Sequence, residues 1–426
     1  MTALEQRTQA NTAVVQGGAR LSGEVRARGS KNCALPLMAA ALLTQETCVL
    51  HNPPFIRDIE AMANLLTSLG VRVEIDANQR TIAITADAIS STRTPTEIAT
   101  SFRASFLVTG PLLTRVGEAS SVHPGGCKIG ERPVNVDLLG FEAMGASVES
   151  EEQDYRLSAK RLNGARLYLD YPSHTGTENL MLAATLAKGT SVIRHASSEP
   201  EVVALANCLN QMGARIRGAG TNTIEIEGVE RLHGAEWDVI PDRHEAGTFA
   251  LASAITGGDV TIHNTNYDYL EPLLYKLAQS GVTIQGTHDP IRVSAHYPLR
   301  AVEVQAIHFP GFPTDLQPQI CALLTQATGE SVIHERVFEA RFTYVEELRK
   351  MGADVRVSGE KAYIRGPTPL HAASVRALDI RSGVALLLAA LAAEGSTRVT
   401  DMQHVFRGYE SLPEDLKALG AQIEME

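Results

Sequence analysis

The chain lacks the features that mark several large protein classes. Its 426 residues hold five cysteines and no Cys-x-x-Cys pair, so we expect neither a disulfide framework nor a structural zinc site. The longest apolar stretch, Val384 to Ala393, is about half as long as a membrane-spanning helix. Residues 1–16 are polar and lack the basic-then-apolar order of a secretory signal. These absences favour a cytoplasmic protein with no membrane partner and no metal.

Positive charge and nucleotide-binding motifs are scarce as well. The net charge of −11 argues against nucleic acid as the main partner. The sequence has no G-x-G-x-x-G after a strand and no G-x-x-x-x-G-K-S/T, so a doubly wound nucleotide-binding fold is not expected. An anionic small molecule would need a local cluster of arginine and lysine, because the overall field repels it.

What the chain does contain is a repeated unit in which an amphipathic helix ends in glycine and a strand follows. The six glycines are separated by 75, 68, 68, 71 and 68 residues, and regular self-similarity of this kind defines an architecture. They are Gly70, Gly145, Gly213, Gly281, Gly352 and Gly420. Each unit reads as helix, strand, helix, strand, strand with a further strand leading in, which predicts an α/β fold of six βαβαββ-like repeats, three per domain.

One unit shows the pattern closely. A helix is predicted over Leu180 to Ala187 and a second one around Leu205. After Gly213, the residues 214–217 and 223–227 alternate in polarity as the two strands of a half-buried hairpin do.

Cys127 lies in an unusual setting for a cysteine. It follows Gly125-Gly126 and has Lys128 and Arg132 close in sequence; glycines keep a loop open, and cations favour the reactive thiolate. A buried, inert thiol is the alternative for any cysteine. That alternative suits the other four, Cys33, Cys48, Cys208 and Cys321, which have apolar or helical surroundings.

Cationic residues stand in the loops and at the ends of the predicted elements. Lys31 opens a helix after Gly29-Ser30, where free N–H groups form a natural phosphate site. Arginine suits bidentate binding of carboxylate or phosphate, although any single arginine could equally be a solvated surface residue. The arginines are Arg103, Arg132, Arg341, Arg381 and Arg407. Asp315 adds a carboxylate on a turn, where an aspartate that only caps a helix is the alternative.

These motifs together resemble the enolpyruvyl transferase family, over about Gly17 to Glu424. The resemblance rests on Gly29-Ser30-Lys31-Asn32, Pro124-Gly125-Gly126-Cys127, Gly130-Glu131-Arg132-Pro133, Glu199-Pro200-Glu201, Pro241-Asp242-Arg243, Phe312-Pro313-Thr314-Asp315, Val337-Phe338-Glu339-Ala340-Arg341, Asp379-Ile380-Arg381 and Arg407-Gly408-Tyr409. It implies an inside-out α/β barrel in each of two domains, with the active site in the cleft between them. One domain would span residues 31–240, and the other would combine residues 1–30 with 241–426.

The resemblance also implies a reaction, one that needs no cofactor. Phosphoenolpyruvate would add to the 3-hydroxyl of UDP-N-acetylglucosamine through a tetrahedral ketal, and phosphate would leave, as the first committed step of peptidoglycan synthesis. Cys127 resembles the proton donor and fosfomycin target, and Asp315 the residue that orients and deprotonates the hydroxyl. The implied phosphoenolpyruvate ligands are Lys31, Asn32, Arg132, Arg341, Arg381 and Arg407.

The implied acceptor site departs from the family pattern in places. Its residues would be Arg103, Arg132, Pro133, Val134, Asn135, Val136, Ser173, His174, Asp315 and Val337. The family usually has acidic and histidine residues where Asn135 and Asp137 stand, and Val-Gly-Ala where His174-Thr175-Gly176 stands. His174 could donate to a phosphate, or backbone N–H groups could do so with His174 merely tolerated.

Two other functions therefore stay open. The chain could be a paralogous enolpyruvyl transferase that uses a different nucleotide-like acceptor, or a catalytically silent regulator that kept the fold. Cys127 and Asp315 argue against the regulator, because binding alone needs no acid.

Overall fold

The computed structural model describes residues 11–127, 129–152 and 154–426. The helices of this part are α1 (Lys31–Ala40), α2 (Arg57–Ser68), α3 (Thr96–Ala99), α4 (Thr109–Val116), α5 (Asn135–Ala143), α6 (His174–Ala184), α7 (Pro200–Gln211), α8 (Arg243–Ile255), α9 (Tyr267–Ser280), α10 (Gln317–Leu324), α11 (Val345–Lys350), α12 (Ile380–Ala392) and α13 (Leu412–Ala418). Short 3-10 helices cover Ala41–Leu43, Arg103–Val108, Thr314–Leu316, Arg341–Tyr344 and Met402–Arg407.

The strands of the described residues are β1 (Ala13–Gln16), β2 (Ser22–Arg26), β3 (Thr47–His51), β4 (Arg72–Asp76), β5 (Thr81–Thr85), β6 (Glu118–Val122), β7 (Ser147–Glu151), β8 (Asp154–Ser158), β9 (Arg166–Tyr168), β10 (Thr190–Arg194), β11 (Arg215–Arg217), β12 (Thr223–Glu227), β13 (Glu236–Asp238), β14 (Asp259–His263), β15 (Thr283–Gln285), β16 (Ile291–Ser294), β17 (Leu299–Arg300), β18 (Glu303–Ala306), β19 (Ala327–Glu335), β20 (Asp354–Ser358), β21 (Lys361–Gly366), β22 (Ser374–Arg376), β23 (Ser396–Thr400) and β24 (Gln422–Met425). The predicted hairpin is confirmed, since β11 and β12 pair antiparallel with Ile216 opposite Ile226.

The chain forms two compact units. Among the described residues, unit 1 comprises residues 11–28, 129–131 and 241–426, and unit 2 comprises residues 29–127 and 132–240. The N-terminal strands belong to unit 1 because β1 pairs with β23 and β24, and β2 pairs in parallel with β14.

Unit 1 contains three sheets among its described residues. Their strand orders are β22-β23-β1-β24, β15-β16-β14-β2 and β17-β19-β21-β20, with β18 also paired to β19. The helices α8, α10 and α12 pack against one another and are buried almost throughout. Helices that are buried on every side form the centre of a protein core.

Unit 2 likewise contains three sheets among its described residues. The orders are β13-β3-β5-β4, β6-β8-β7 and β11-β12-β10-β9. A single hydrophobic core runs from Cys33 to Val239 and takes in α1, α4 and α6.

The six repeated glycines all follow a helix and precede a strand, as predicted. Each has a left-handed φ between +93° and +106°, a conformation that glycine adopts without the steric cost of a Cβ. At Gly70, for example, the N–H donates to Thr67 O, and the N–H of Val71 donates to Leu66 O, so the last helical carbonyls are satisfied. The predicted α/β class is confirmed.

Side-chain caps fix the starts of several helices. Ser173 accepts from Gly176 N at the start of α6, and Asp242 accepts from His244 N and Glu245 N at the start of α8. Because of its Ser173 cap, α6 begins six residues before the predicted Leu180. Across the described ranges, every helix falls short of the length and apolarity needed to cross a membrane.

Candidate active site

Cys127 ends a glycine loop that packs closely against the rest of unit 2. A Cβ on Gly125 would lie 1.7 Å from Thr100 O, and one on Gly126 would lie 3.1 Å from Arg132 Nη1 and 3.5 Å from Arg103 Cβ. The Cys127 thiol is free and half-buried, whereas the other four cysteines are buried. The loop therefore places Gly126, the residue before Cys127, against Arg103 and Arg132, and the four remaining cysteines lie in the core as expected.

Arg103 organises the segment that follows Arg132. Its Nη1 donates to Arg132 O, and its Nη2 donates to Pro133 O at 2.7 Å. Burial, followed by the charge of Arg132, lowers the pKa of Arg103 to about 10. Two guanidinium groups held this close favour an anion between or beside them.

The segment Val134–Val136 lies against the start of α6. A Cβ on Gly176 would come 2.9 Å from Val136 Cγ1 and 2.9 Å from Ser173 Oγ, so the starts of α5 and α6 are adjacent. Helix starts present backbone N–H groups and partial positive charge. This corner thus brings together seven of the residues predicted to bind the acceptor, from Arg103 through the 132–136 segment to Ser173.

The side chain of Asp137 points into the interior of unit 2. It is 3% exposed, and its Oδ1 accepts from Asn179 Nδ2 at 2.8 Å. Burial raises the pKa of Asp137 to about 6, although the Asn179 hydrogen bond and the charge of Arg103 oppose the rise. The departure from the family pattern at this position is accommodated by a buried amide partner.

His174, at the start of α6, is clamped by glutamates on both ring nitrogens. Its Nε2 lies 3.0 Å from Glu178 Oε1, and its Nδ1 contacts Glu199, which precedes α7. Burial alone would lower the pKa of His174, but the two carboxylates outweigh it and raise the pKa well above its ordinary value. In this arrangement both ring nitrogens of His174 face carboxylates.

One group of side chains in the described residues has the spacing of a metal site. The ligand atoms of His174, Glu199 and Glu201 all lie within 4.8 Å of one another. The imidazole is already paired with Glu178 and Glu199, and an imidazolium cannot bind a metal ion. We therefore assign an ion-paired cluster.

Lys31 and Asn32 lie in the first turn of α1, after the Ser30 cap. Lys31 Nζ is 3.1 Å from Asp58 Oδ2 in α2, and both side chains are largely buried. The contact described for Lys31 is thus with Asp58 rather than with the Arg103 and Arg132 pair.

Asp315 is the centre of the corresponding cluster in unit 1. Its Oδ1 lies 3.0 Å from Arg341 Nη2, and its Oδ2 lies 2.8 Å from Arg381 Nη2. Both arginines are almost fully buried, whereas 27% of the Asp315 side chain is exposed. Burial alone would lower the pKa of Arg381, but the charge of Asp315, the hydrogen bond to it and the neighbouring Tyr409 and Asp242 together outweigh burial and raise the pKa.

Arg381 and Arg407 are positioned by the start of α12. Asp379 and Ser382 form a capping box there, and Asp379 Oδ1 accepts from Arg381 N. Gly408, which follows Arg407, packs against Ile380, since a Cβ at Gly408 would lie 2.8 Å from Ile380 Cγ2.

Glu335, which sequence reasoning missed, connects two of the predicted segments. One oxygen accepts from Val337 N at 2.8 Å, and the other accepts from Thr314 Oγ1 at 2.9 Å. A carboxylate at the end of a strand and two residues before Val337 is the available sequence signal. Glu335 thereby fixes the turn that carries Asp315 relative to Val337.

Residues 129–131, which follow the Cys127 loop, belong to unit 1. Ala340 N donates to Ile129 O at 3.1 Å, and Glu131 N donates to a carboxylate oxygen of Glu339 at 2.5 Å. Lys128 lies outside the described residues. These contacts tie the segment to the turn immediately before Arg341.

Known proteins resemble this chain over nearly all of its length. The sequence profile of the EPSP synthase (3-phosphoshikimate 1-carboxyvinyltransferase) family matches residues 15–416. The chain is 46% identical to the UDP-N-acetylglucosamine 1-carboxyvinyltransferase of Finegoldia magna, over 96% of this chain and 97% of that protein. The protein of the same name from Magnetococcus marinus is 47% identical, over 96% and 98% respectively.

Solved structures agree in fold. The enolpyruvyl transferase NikO from Streptomyces tendae superposes with a TM-score of 0.88 at 27% identity, covering 97% of this chain and 99% of that one. EPSP synthase from Acinetobacter baumannii, at 19% identity, gives a TM-score of 0.76 over 98% of this chain and 100% of that one. The chain therefore belongs to the EPSP synthase family, and within it lies among the proteins named UDP-N-acetylglucosamine 1-carboxyvinyltransferase.

Proposed function

We propose that this protein transfers the enolpyruvyl group of phosphoenolpyruvate to the 3-hydroxyl of UDP-N-acetylglucosamine, with release of phosphate, as the first committed step of peptidoglycan synthesis. The observation that carries the proposal is the 45–47% identity, over about 96% of the chain, to proteins named for this reaction. A cytoplasmic location follows from the proposal, since both substrates are small molecules made inside the cell.

Cys127 and Asp315 are the acid and the base of the proposed reaction. As the sugar hydroxyl attacks C2 of phosphoenolpyruvate, its proton passes to Asp315, and C3 takes a proton from Cys127. In the second step the ketal returns a proton from C3 to the Cys127 thiolate and expels phosphate, which takes the proton from Asp315, so that the double bond and both side chains are regenerated. The half-buried free thiol and the partly exposed carboxylate support these roles, because each group can reach a substrate.

The cations neutralise phosphoenolpyruvate. We assign its phosphate to Lys31, Arg132 and Arg407, and its carboxylate to Arg341 and Arg381. Asn32, next to Lys31, is a further proposed ligand of phosphoenolpyruvate. Arg341 and Arg381 converge on Asp315, so a carboxylate bound there would lie beside the base. Fixed positive charge where negative charge develops supplies much of the stabilisation in such reactions.

The acceptor is assigned to the corner formed by Arg103, residues 132–136, Ser173 and His174, with Val337 and Asp315 at the sugar. Backbone N–H groups at the start of α6 are the proposed donors to the diphosphate, and His174 supports them through its glutamates. The adjacency of the α5 and α6 starts supports this assignment.

The finer architecture is also a proposal. We infer that each domain is an inside-out barrel of three βαβαββ-like repeats, with residues 31–240 in one and residues 1–30 plus 241–426 in the other. Three mutually packed, buried helices and three sheets in unit 1 support this arrangement. The predicted position of the active site between the domains stays a prediction.

A paralogous enolpyruvyl transferase with another nucleotide-like acceptor is the second candidate. It is favoured by the departures at Asn135, Asp137 and His174 and by the likeness to NikO. The two candidates differ only in the acceptor.

Phosphate release from phosphoenolpyruvate, measured with different acceptors, tests the proposal. UDP-N-acetylglucosamine should support turnover, whereas uridine diphosphate, uridine monophosphate and buffer alone should not. Phosphate release with a simple uridine nucleotide but not with UDP-N-acetylglucosamine would favour the paralogue. Absence of phosphate release with every acceptor would favour the catalytically silent regulator.

A further inference from the structure

Arg381 has a second neighbour besides Asp315, the hydroxyl group of Tyr409. Arg381 Nη1 donates to Tyr409 Oη at 3.1 Å, and the guanidinium carbon lies 5.6 Å from the centroid of the Tyr409 ring. Tyr409 is 1% exposed. Tyr409 thus contacts Nη1 of Arg381, whereas Asp315 contacts Nε and Nη2.

The hydroxyl is itself held by Thr248 of α8. Tyr409 Oη and Thr248 Oγ1 are 2.8 Å apart, and Thr248 Oγ1 lies 2.9 Å from His244 O, one turn earlier in the helix. Thr248 is fully buried. Each of the three groups therefore meets the next within hydrogen-bonding distance.

The direction of the hydrogen bonds follows from the chemistry of each group. A guanidinium only donates, so Tyr409 Oη must accept from Arg381. The Tyr409 proton then has Thr248 Oγ1 as its acceptor, and the Thr248 proton goes to His244 O. Burial raises the pKa of Tyr409, although the charge of Arg381 opposes this, so the hydroxyl keeps its proton.

We propose that Tyr409 and Thr248 are positioning residues that fix the guanidinium of Arg381 for the carboxylate of phosphoenolpyruvate. The inference rests on the proposed function. A guanidinium has five N–H donors, and its contacts with Asp315 and Tyr409 do not exhaust them. Because the backbone of Arg381 is fixed by the α12 capping box and its tip by Tyr409, the guanidinium is held in a single orientation.

The chain of hydrogen bonds from Thr248 through Tyr409 to Arg381, here called the relay, should affect the binding of phosphoenolpyruvate more than that of UDP-N-acetylglucosamine. Asp315 keeps Arg341 as a partner when Arg381 loosens, so the acceptor hydroxyl stays oriented. Loss of the Tyr409 hydroxyl should therefore raise the KM for phosphoenolpyruvate selectively.

The test compares steady-state kinetics of wild type, Tyr409→Phe, Thr248→Val and Thr248→Ser. Tyr409→Phe and Thr248→Val should each raise the KM for phosphoenolpyruvate about tenfold, the loss expected for a hydrogen bond to a charged group. The KM for UDP-N-acetylglucosamine should change less than about twofold, and kcat less than about threefold. Thr248→Ser, which keeps the hydroxyl, should have the KM values of wild type. The double variant Tyr409→Phe/Thr248→Val should raise the KM for phosphoenolpyruvate no further than Tyr409→Phe alone.

Tyr297→Phe is the matched control, because its hydroxyl donates to Ile255 O elsewhere in unit 1. Inactive wild-type protein would refute the proposed function itself. Active wild type with an unchanged phosphoenolpyruvate KM in Tyr409→Phe would overturn the relay. The relay would also be overturned if Tyr409→Phe raised the KM values for both substrates equally. The same holds if Thr248→Ser raised the KM for phosphoenolpyruvate as much as Thr248→Val does.

Discussion

Asp137 shows at the level of one residue how burial sets the charge of a carboxyl group. Its pKa of about 6, against an ordinary 3.8, means that the folded protein binds the proton more tightly than the unfolded chain. Stability from this group is therefore greatest at low pH and is lost as the pH rises from about 4 to 6. Above that window the charged form carries its full desolvation cost.

Asp137→Asn should remove this pH dependence. The amide oxygen can still accept from Asn179, so the variant should be more stable than wild type at neutral pH, by up to about 3 kcal/mol, and equal to it near pH 4. Urea unfolding across this range measures the difference. Glu74→Gln, at a side chain that is 72% exposed, is the control and should change stability equally at every pH. If Asp137→Asn had the same pH dependence of stability as wild type, the raised pKa assigned to Asp137 would be contradicted.

Cys127 permits a separation of acid catalysis from covalent chemistry. Cys127→Ala should lower kcat by about a hundredfold or more, the loss expected when a general acid is removed. Cys127→Asp should retain turnover, because aspartate can donate a proton but cannot form a sulfur adduct.

Intact-mass measurement after fosfomycin treatment completes this test. Wild type should gain the mass of one inhibitor, and Cys127→Asp should gain none. An active Cys127→Ala variant, or fosfomycin labelling that survives in Cys127→Asp, would remove Cys127 from the proposed role.

At the scale of elements, the start of α6 depends on the pairing of His174 with Glu178 and Glu199. A histidine whose folded pKa is raised contributes stability that is complete below its ordinary pKa and is lost as the pH rises through the folded value. This pairing should thus stabilise the α6 and α7 starts at neutral pH and fade under alkaline conditions.

His174→Val should therefore destabilise the protein by about 2 to 4 kcal/mol near pH 7, because it leaves the buried Glu178 without its cation. The loss should shrink as the pH rises through the raised pKa of His174, and His174→Val/Glu178→Gln should recover part of it. Thermal unfolding of the three proteins supplies the data. A loss that is independent of pH would mean that His174 acts through packing alone.

Elements with local signals were predictable from the sequence. The glycine after each helix and the alternation of residues 223–227 identify helix ends and a hairpin because both depend on neighbours in the chain. The start of α6 was placed too late, since the polar Thr175-Gly176-Thr177 run obscured the Ser173 cap.

The candidate site was predictable only in part. The cationic motifs pointed to Arg341, Arg381 and Asp315, but their mutual contacts join residues up to 66 positions apart. The Tyr409 and Thr248 pair is separated by 161 positions, and the Asp137 and Asn179 pair by 42. Such pairs arise from tertiary packing, which no local pattern encodes.

At the scale of the whole molecule, a chain with a net charge of −11 is proposed to bind two anionic substrates. The local arginine and lysine groups must then outweigh the overall field, and this attraction is screened by salt. Buried charges such as Arg341 and Arg381 are screened less than exposed ones.

The proposed transfer is tested most directly by following the carbon that moves. With phosphoenolpyruvate labelled with carbon-13 at C2 and UDP-N-acetylglucosamine as acceptor, NMR should show the label in a vinyl ether attached to the 3-oxygen of the sugar, together with an equal amount of free phosphate. Label that stays in phosphoenolpyruvate, appears as free pyruvate, or becomes attached elsewhere on the acceptor would contradict the account.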